Sequence, residues 1–219
     1  MCRAREVWHS RDEKHWRVVL DDYWRFIKPT HIELEREIER LDSADVRSLD
    51  AEGWYCFLVQ KYFRWKYTAP NRYGSTTKQL KRYAETNSLG ELHLIKQDLF
   101  ALDPSDIERG LLIATSSRGL GTAGASGLLS ILFPQHFGTV DQFAVKALCQ
   151  IDDLPQIAAV RKMNPESLTI RDGALLIQIM RLKAADNNRI FGTDFWTPRR
   201  IDMVLWTLGH ECEALLSTD

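Results

Sequence analysis

Residues 117–148 read SRGLGTAGASGLLSILFPQHFGTVDQFAVKAL, and the fold is decided there. Gly119-Leu120-Gly121 forms a two-glycine hinge that opens into the small-residue run Thr122 to Gly127 and then the apolar Leu128-Leu129-Ser130-Ile131-Leu132-Phe133. A helix that starts at such a hinge leaves unpaired N–H groups and the positive end of its dipole facing outward, which is a ready anion site. Gly124 and Gly127 fall inside that helix, where each glycine costs ~1 kcal/mol relative to alanine. Their presence predicts the close approach of another backbone or of a phosphate. Asp141 then stands in a Thr-Val-Asp turn at the head of the next helix.

Outward from this stretch the chain reads as helix after helix. Asp103, Pro104 and Asp106 predict a helix start that leads through Ile107 and Leu111 to about Thr115. Further upstream, residues 11–28 place Trp16, Val19, Leu20, Tyr23, Trp24 and Ile27 at three-four spacing, and Thr30 with Glu33 forms a capping-box pattern. Asp50 caps a helix through Trp54, Phe57 and Leu58 toward Trp65; Ser75 or Thr76 caps another, and Ser88 with Glu91 a third. Downstream, a long helix from Thr169 to about Ala185 carries a predicted stripe of Leu175, Ile179 and Leu182, with Leu176 and Met180 beside it. Thr197-Pro198 opens the last helix, whose stripe is Ile201, Val204, Leu205 and Leu208 before Gly209. The expectation is an all-α fold of roughly ten helices.

At 219 residues with a net charge of −1, the chain is long enough to bury a sizeable core, and any basic surface must be local. Residues 54–84 supply it: Lys61, Arg64, Lys66, Arg72, Lys78, Lys81 and Arg82 occur there with no acid, interleaved with Tyr62, Phe63, Trp65, Tyr67 and Tyr73. Cations hold phosphates while aromatic faces stack on unpaired bases. A core helix with a snorkelling basic face accounts for the same pattern. Cys2, Cys56, Cys149 and Cys212 are scattered without a CxxC, which argues against a zinc site or disulfide framework and points to a reducing cytoplasm. No signal peptide or spanning segment is expected. His9 and His15 do not make a metal site, and neither a metal nor another cofactor is expected.

The segment from Gly119 to Asp141 resembles the helix-hairpin-helix of the DNA glycosylase superfamily, the HhH-GPD fold of endonuclease III and the 8-oxoguanine glycosylases. Gly119-Leu120-Gly121 matches the hairpin, Ala125 its alanine, and Asp141, twenty positions beyond Gly121, its catalytic aspartate. Arg118 stands where the family usually has proline, Thr139 replaces a turn proline, and Gln142-Phe143 replaces a polar-histidine pair. The Schiff-base lysine of bifunctional members corresponds to Ala123, so the resemblance implies a monofunctional enzyme or an inactive relative. It is nearest in outline to the 8-oxoguanine branch. The scattered cysteines do not fit the iron-sulfur cluster of endonuclease III relatives.

The resemblance implies one glycosylase domain over 1–219, with 1–50 a helical extension packed on it, acting as a monomer on double-stranded DNA that carries a damaged or modified base. DNA contacts would come from Gly119, Leu120, Gly121, Thr122, Lys61, Arg64, Arg72 and Lys78. The base pocket or gap would involve Gln60, from the Leu58-Val59-Gln60 that looks like the family's Leu-Ser-Gln start, together with Tyr62, Trp65, Tyr67 and Gln142. Asp141 would stabilise developing positive charge on the sugar and orient the attacking water. Alone, Asp141 reads as a helix N-cap and Gln60 as a buried glutamine, while Asp202 is expected to pair with Arg199. A non-catalytic DNA-binding module and an all-α interaction protein without a DNA role are the competing readings.

Overall fold

Gly119 adopts φ +94°, and a Cβ there would lie 3.0 Å from the Thr76 carbonyl oxygen, so the hinge needs glycine for both its turn and its neighbour. Gly121 has φ −84° and open space around it. The turn joins α8 (Ile107–Ser116) to α9 (Thr122–Leu132) in a computed structural model that describes residues 3–216, with side chains described through residue 212. The chain is all-helical, with no strand among the described residues.

Ahead of the hinge lie α1 (Arg3–His9), α2 (Glu13–Phe26), a 3₁₀ turn at Pro29–His31, α3 (Ile32–Glu39) and α4 (Ser43–Ser48). A continuous helical rod follows, made of α5 (Ala51–Cys56), a π-helical segment (Phe57–Tyr62) and α6 (Phe63–Lys66); then comes α7 (Pro70–Phe100). Behind the hinge are α10 (Gln142–Leu148), the short α11 (Ile157–Val160), α12 (Ile170–Phe191) and α13 (Pro198–Leu216).

Several starts fall where side-chain caps dictate. Asp50 accepts the Gly53 amide at 2.8 Å, and Thr169 with Asp172 closes a reciprocal capping box. Others differ from expectation. Thr30 forms no cap, because Pro29 sets a 3₁₀ turn through that position. The helix before the hinge starts at Asp106, whose Oδ1 accepts the Arg109 amide, while Asp103 is used in a turn onto Ser105. Pro70 at the first helical position starts α7 earlier than Ser75 or Thr76 would, and Ser88 (φ 75°, ψ 158°) breaks it at the predicted cap position.

One apolar cluster runs from Ala4 to Leu208, with α13 packed against α1, α2, α9, α10 and α12. The predicted stripe of α13 is buried throughout. The helix continues through Gly209, because that glycine is the crossing point with α10: a Cβ there would sit 2.2 Å from the Phe143 carbonyl oxygen. On α12 the buried face is Gly173, Leu176, Ile177, Ile179, Met180 and Ala184, while Leu182 is 56% exposed; the predicted stripe was rotated toward solvent. Cys56 and Cys149 are free, and Cys2 lies outside the described residues. No described helix is long and apolar enough to cross a membrane.

Candidate functional site

Asp141 caps α10 by accepting the Phe143 and Ala144 amides at 2.9 and 3.2 Å. Both bonds end on Oδ1, so the cap does not use the second carboxylate oxygen. The turn that carries Asp141 is fixed from two sides. Ser126 Oγ on α9 accepts the Val140 amide at 2.9 Å, and Asp202 Oδ2 on α13 accepts the Thr139 amide at 2.7 Å. Ser130 and Thr139 hydroxyls meet at 3.0 Å beneath them. Gly138 is pressed against Met180, Pro198 and Asp202. A carboxylate held this way keeps one position relative to the scaffold.

Asp141 lines a cavity of about 390 Å³ with Trp65, Lys66, Thr139, Phe143, Arg199, Asp202, Trp206 and His210; Tyr23, Phe26, Ile27, Lys28, His31, Glu35 and Thr68 complete it. That volume lies at the small-ligand end of the usual range. Its wall is aromatic: the Phe143 ring stacks on His210 at 3.6 Å, and the Trp206 ring meets His210 edge-on at 4.0 Å.

Its floor is ionic. Arg199 reaches Glu35 and Asp202 at 3.2 Å and Glu39 at 3.3 Å, with Tyr23 Oη (2.8 Å) and Trp65 Nε1 (2.6 Å) donating to Glu35. Burial pushes the Asp202 carboxyl up to about 6 despite Arg199, and raises Glu35 as well. For Arg199 burial works against the charge, but Asp202, Tyr23, Glu39 and Glu35 outweigh it and raise the guanidinium further. The expected Arg199–Asp202 pair is therefore present, as part of a larger buried network.

Of the aromatic candidates Trp65 lines the cavity, and Tyr62 and Tyr67 do not. Tyr62 is fully buried and donates to the Gly124 carbonyl, which corrects its reading as a base contact. Tyr67 is half-buried and braces the hinge, its hydroxyl 3.4 Å from the Gly119 carbonyl oxygen. Gly124 and Gly127 accordingly admit Tyr67, Tyr62 and the stem of Lys66, where a backbone or phosphate was expected. Gln60 is exposed on the π-helical segment, which corrects the buried alternative, and Gln142 accepts from Lys146 Nζ at 3.5 Å. Neither lines the cavity.

Leu120 and Thr122 are buried: Leu120 packs beneath Gly124, and Thr122 fits against Gly173. Any contribution they make to a phosphate is through backbone. Arg64, Arg72 and Lys78 are exposed and form no ion pair among the described residues, whereas Lys61 pairs with Glu37 at 3.2 Å. Thr76 against Gly119 sets the start of α7, with Arg72 and Lys78, beside the hinge and the exposed Arg118.

Lys66, Glu35, Arg199 and Asp202 were not predicted as site residues. For Lys66 the available signal was an uncompensated lysine on the same helix as Trp65. Among the described residues no group of three or more His, Cys, Asp or Glu is arranged to hold a metal ion. No family model, curated protein or solved structure matches the chain.

Proposed function

We propose that this chain belongs to the class of DNA-binding enzymes that draw one base out of a duplex into a pocket. Within that class it is a monofunctional DNA glycosylase, hydrolysing the N-glycosidic bond of a damaged or modified base to leave an abasic site. Such an activity serves repair, or defence against phage DNA with hypermodified bases. The observation that carries the reading is Asp141: a carboxylate at the sequence position that the glycosylase resemblance assigns to catalysis lines an aromatic-walled cavity while keeping one oxygen outside its cap. The α8–α9 turn, read as a helix-hairpin-helix, would offer the amides at the start of α9, and the unpaired Arg64, Arg72 and Lys78 the cations, for the phosphate contacts. Ala123 at the lyase position supports hydrolysis without strand cleavage.

The cap bonds also favour a second reading, a non-catalytic helix-hairpin-helix module, because capping alone accounts for an aspartate at position 141. Duplexes carrying oxidised, alkylated, deaminated or hypermodified bases, incubated with the protein and then treated with alkali, separate the two. Alkali-dependent breaks made by wild type and lost in Asp141→Asn support the glycosylase. Salt-sensitive binding with no breaks on any duplex supports the module.

A further inference from the structure

Besides Asp141 and the exposed Lys28, four charged side chains line the cavity. Three of them, Glu35, Arg199 and Asp202, are engaged with one another. The fourth, Lys66, makes no hydrogen bond or ion pair among the described residues. Its stem runs past Gly127, where a Cβ would lie 3.1 Å from Lys66 Cδ and 3.4 Å from Cε. A side chain at position 127 would therefore press on the stem that carries the amine. Lys66 is partly buried, and desolvation lowers the pKa of its amine. Asp141 opposes that shift first, then Asp202 and Glu35, while Arg199 adds to it. Lys28, His31 and His210 also face the cavity.

A base that leaves a sugar takes the bonding electron pair with it. If it was uncharged it departs as an anion and needs a proton; if it was already cationic it departs neutral and needs none. We propose that Lys66 is the acid that protonates the departing base, so that the site acts on uncharged modified bases; this rests on the glycosylase reading above. The water oxygen bonds to C1′ of the sugar as the C1′–N bond breaks toward the base. The Lys66 ammonium passes a proton to the base, and Asp141 takes the proton released by the water. Transfer of that proton from Asp141 to the Lys66 amine restores both groups. A lysine with a lowered pKa suits this exchange, because an acid works best when its pKa approaches the working pH.

The experiment compares wild type, Lys66→Met and Asp141→Asn by single-turnover abasic-site formation. The duplexes carry uncharged bases (8-oxoguanine, uracil, glucosylated 5-hydroxymethylcytosine) or cationic ones (7-methylguanine, 3-methyladenine). Lys66→Met is expected to slow removal of an uncharged base by ~100-fold or more, to change removal of a cationic base less than ~3-fold, and to keep duplex affinity. Asp141→Asn slows both. Equal effects of Lys66→Met on the two classes, no effect on either, or wild-type activity confined to cationic bases would overturn the proposal while leaving the glycosylase reading intact. Where wild type removes only uncharged bases, the alkaline limb of its rate–pH profile decides: the limb must disappear in Lys66→Met, and its persistence removes Lys66 from the role. Strand breaks without alkali that vanish in Lys66→Met make the amine a nucleophile and overturn its role as an acid. Wild type inactive on every duplex sinks both readings together.

Discussion

Asp202 Oδ2 accepts the Thr139 amide at 2.7 Å, a direct bond from the last long helix to the turn that presents Asp141. The same carboxylate meets Arg199 at 3.2 Å in the buried network. Removing it leaves Arg199 with less compensation and the turn hydrogen-bonded from the α9 side alone. Asp202→Ala is expected to destabilise the fold by about 3–5 kcal/mol, read as the shift in urea midpoint. Asp202→Asn, which keeps an acceptor for Thr139, costs less.

The pH dependence of stability has a sign fixed by the same group. Burial raises the Asp202 carboxyl to about 6 from 3.8, so the folded chain binds its proton more tightly than the unfolded chain does. Its contribution is fully present below the unfolded value and is lost as pH rises through about 6. Between about pH 4 and about pH 6, wild type should lose unfolding free energy relative to Asp202→Asn. A difference between the two proteins that stays flat across that window counts against the assignment.

Two glycines of the hinge should respond oppositely to alanine. At Gly119 both the positive φ and the Thr76 backbone resist a Cβ, so Gly119→Ala lowers the melting temperature and weakens duplex binding. Gly121 has ordinary φ and free space, and Gly121→Ala leaves the melting temperature unchanged or slightly raised. Gly209→Ala is the severe case, since its Cβ would overlap the Phe143 carbonyl; the expected result is loss of soluble folded protein.

Tyr62 and Trp65 are three residues apart on one helical rod and should behave differently. Tyr62→Phe loses the bond to the Gly124 carbonyl and about 1 kcal/mol of stability, with duplex affinity unchanged. Trp65→Phe removes a donor to Glu35 and one face of the cavity, so it lowers turnover on a modified duplex as well as stability.

On the outer surface, Arg72→Ala and Lys78→Ala should each flatten the dependence of duplex affinity on salt, the log–log slope falling by about 0.9 for each phosphate that is no longer neutralised. Lys61→Ala should change it less, because Glu37 already occupies that ammonium. Equal slopes for all three variants would separate the basic segment from DNA binding.

What the chain alone disclosed was local. The hinge, the head of α10 at Asp141 and the buried stripe of α13 follow from glycine placement, a capping side chain and three-four spacing, all of which act within a few residues. Helix starts at Thr30 and Asp103 were misplaced because Pro29 and Asp106 compete for the same turns. The face of α12 was misjudged because Gly173, a small residue invisible to a hydrophobic count, marks its closest packing. The cavity itself was out of reach: Glu35, Lys66, Asp141 and Asp202 come from α3, α6, the α9–α10 turn and α13, and no periodicity relates residues that meet only after folding. Trp65 could be selected as an aromatic among cations, but nothing local distinguished it from Tyr62, which turns into the core.

That last distinction traces to the π-helical turn at Phe57–Tyr62. A wide turn accommodates one more residue than an α-helical turn, which rotates everything after it by about 100° about the helix axis. Trp65 and Lys66 line the cavity from a rod whose preceding half buries Trp54, Phe57 and Leu58 in the core. Loss of a single residue from this segment would leave an ordinary, better-bonded helix and swing both side chains away from Asp141. The irregular turn acts as a phase adjuster: it lets one rod serve the core with its first half and bring Trp65 and Lys66 to the cavity with its second.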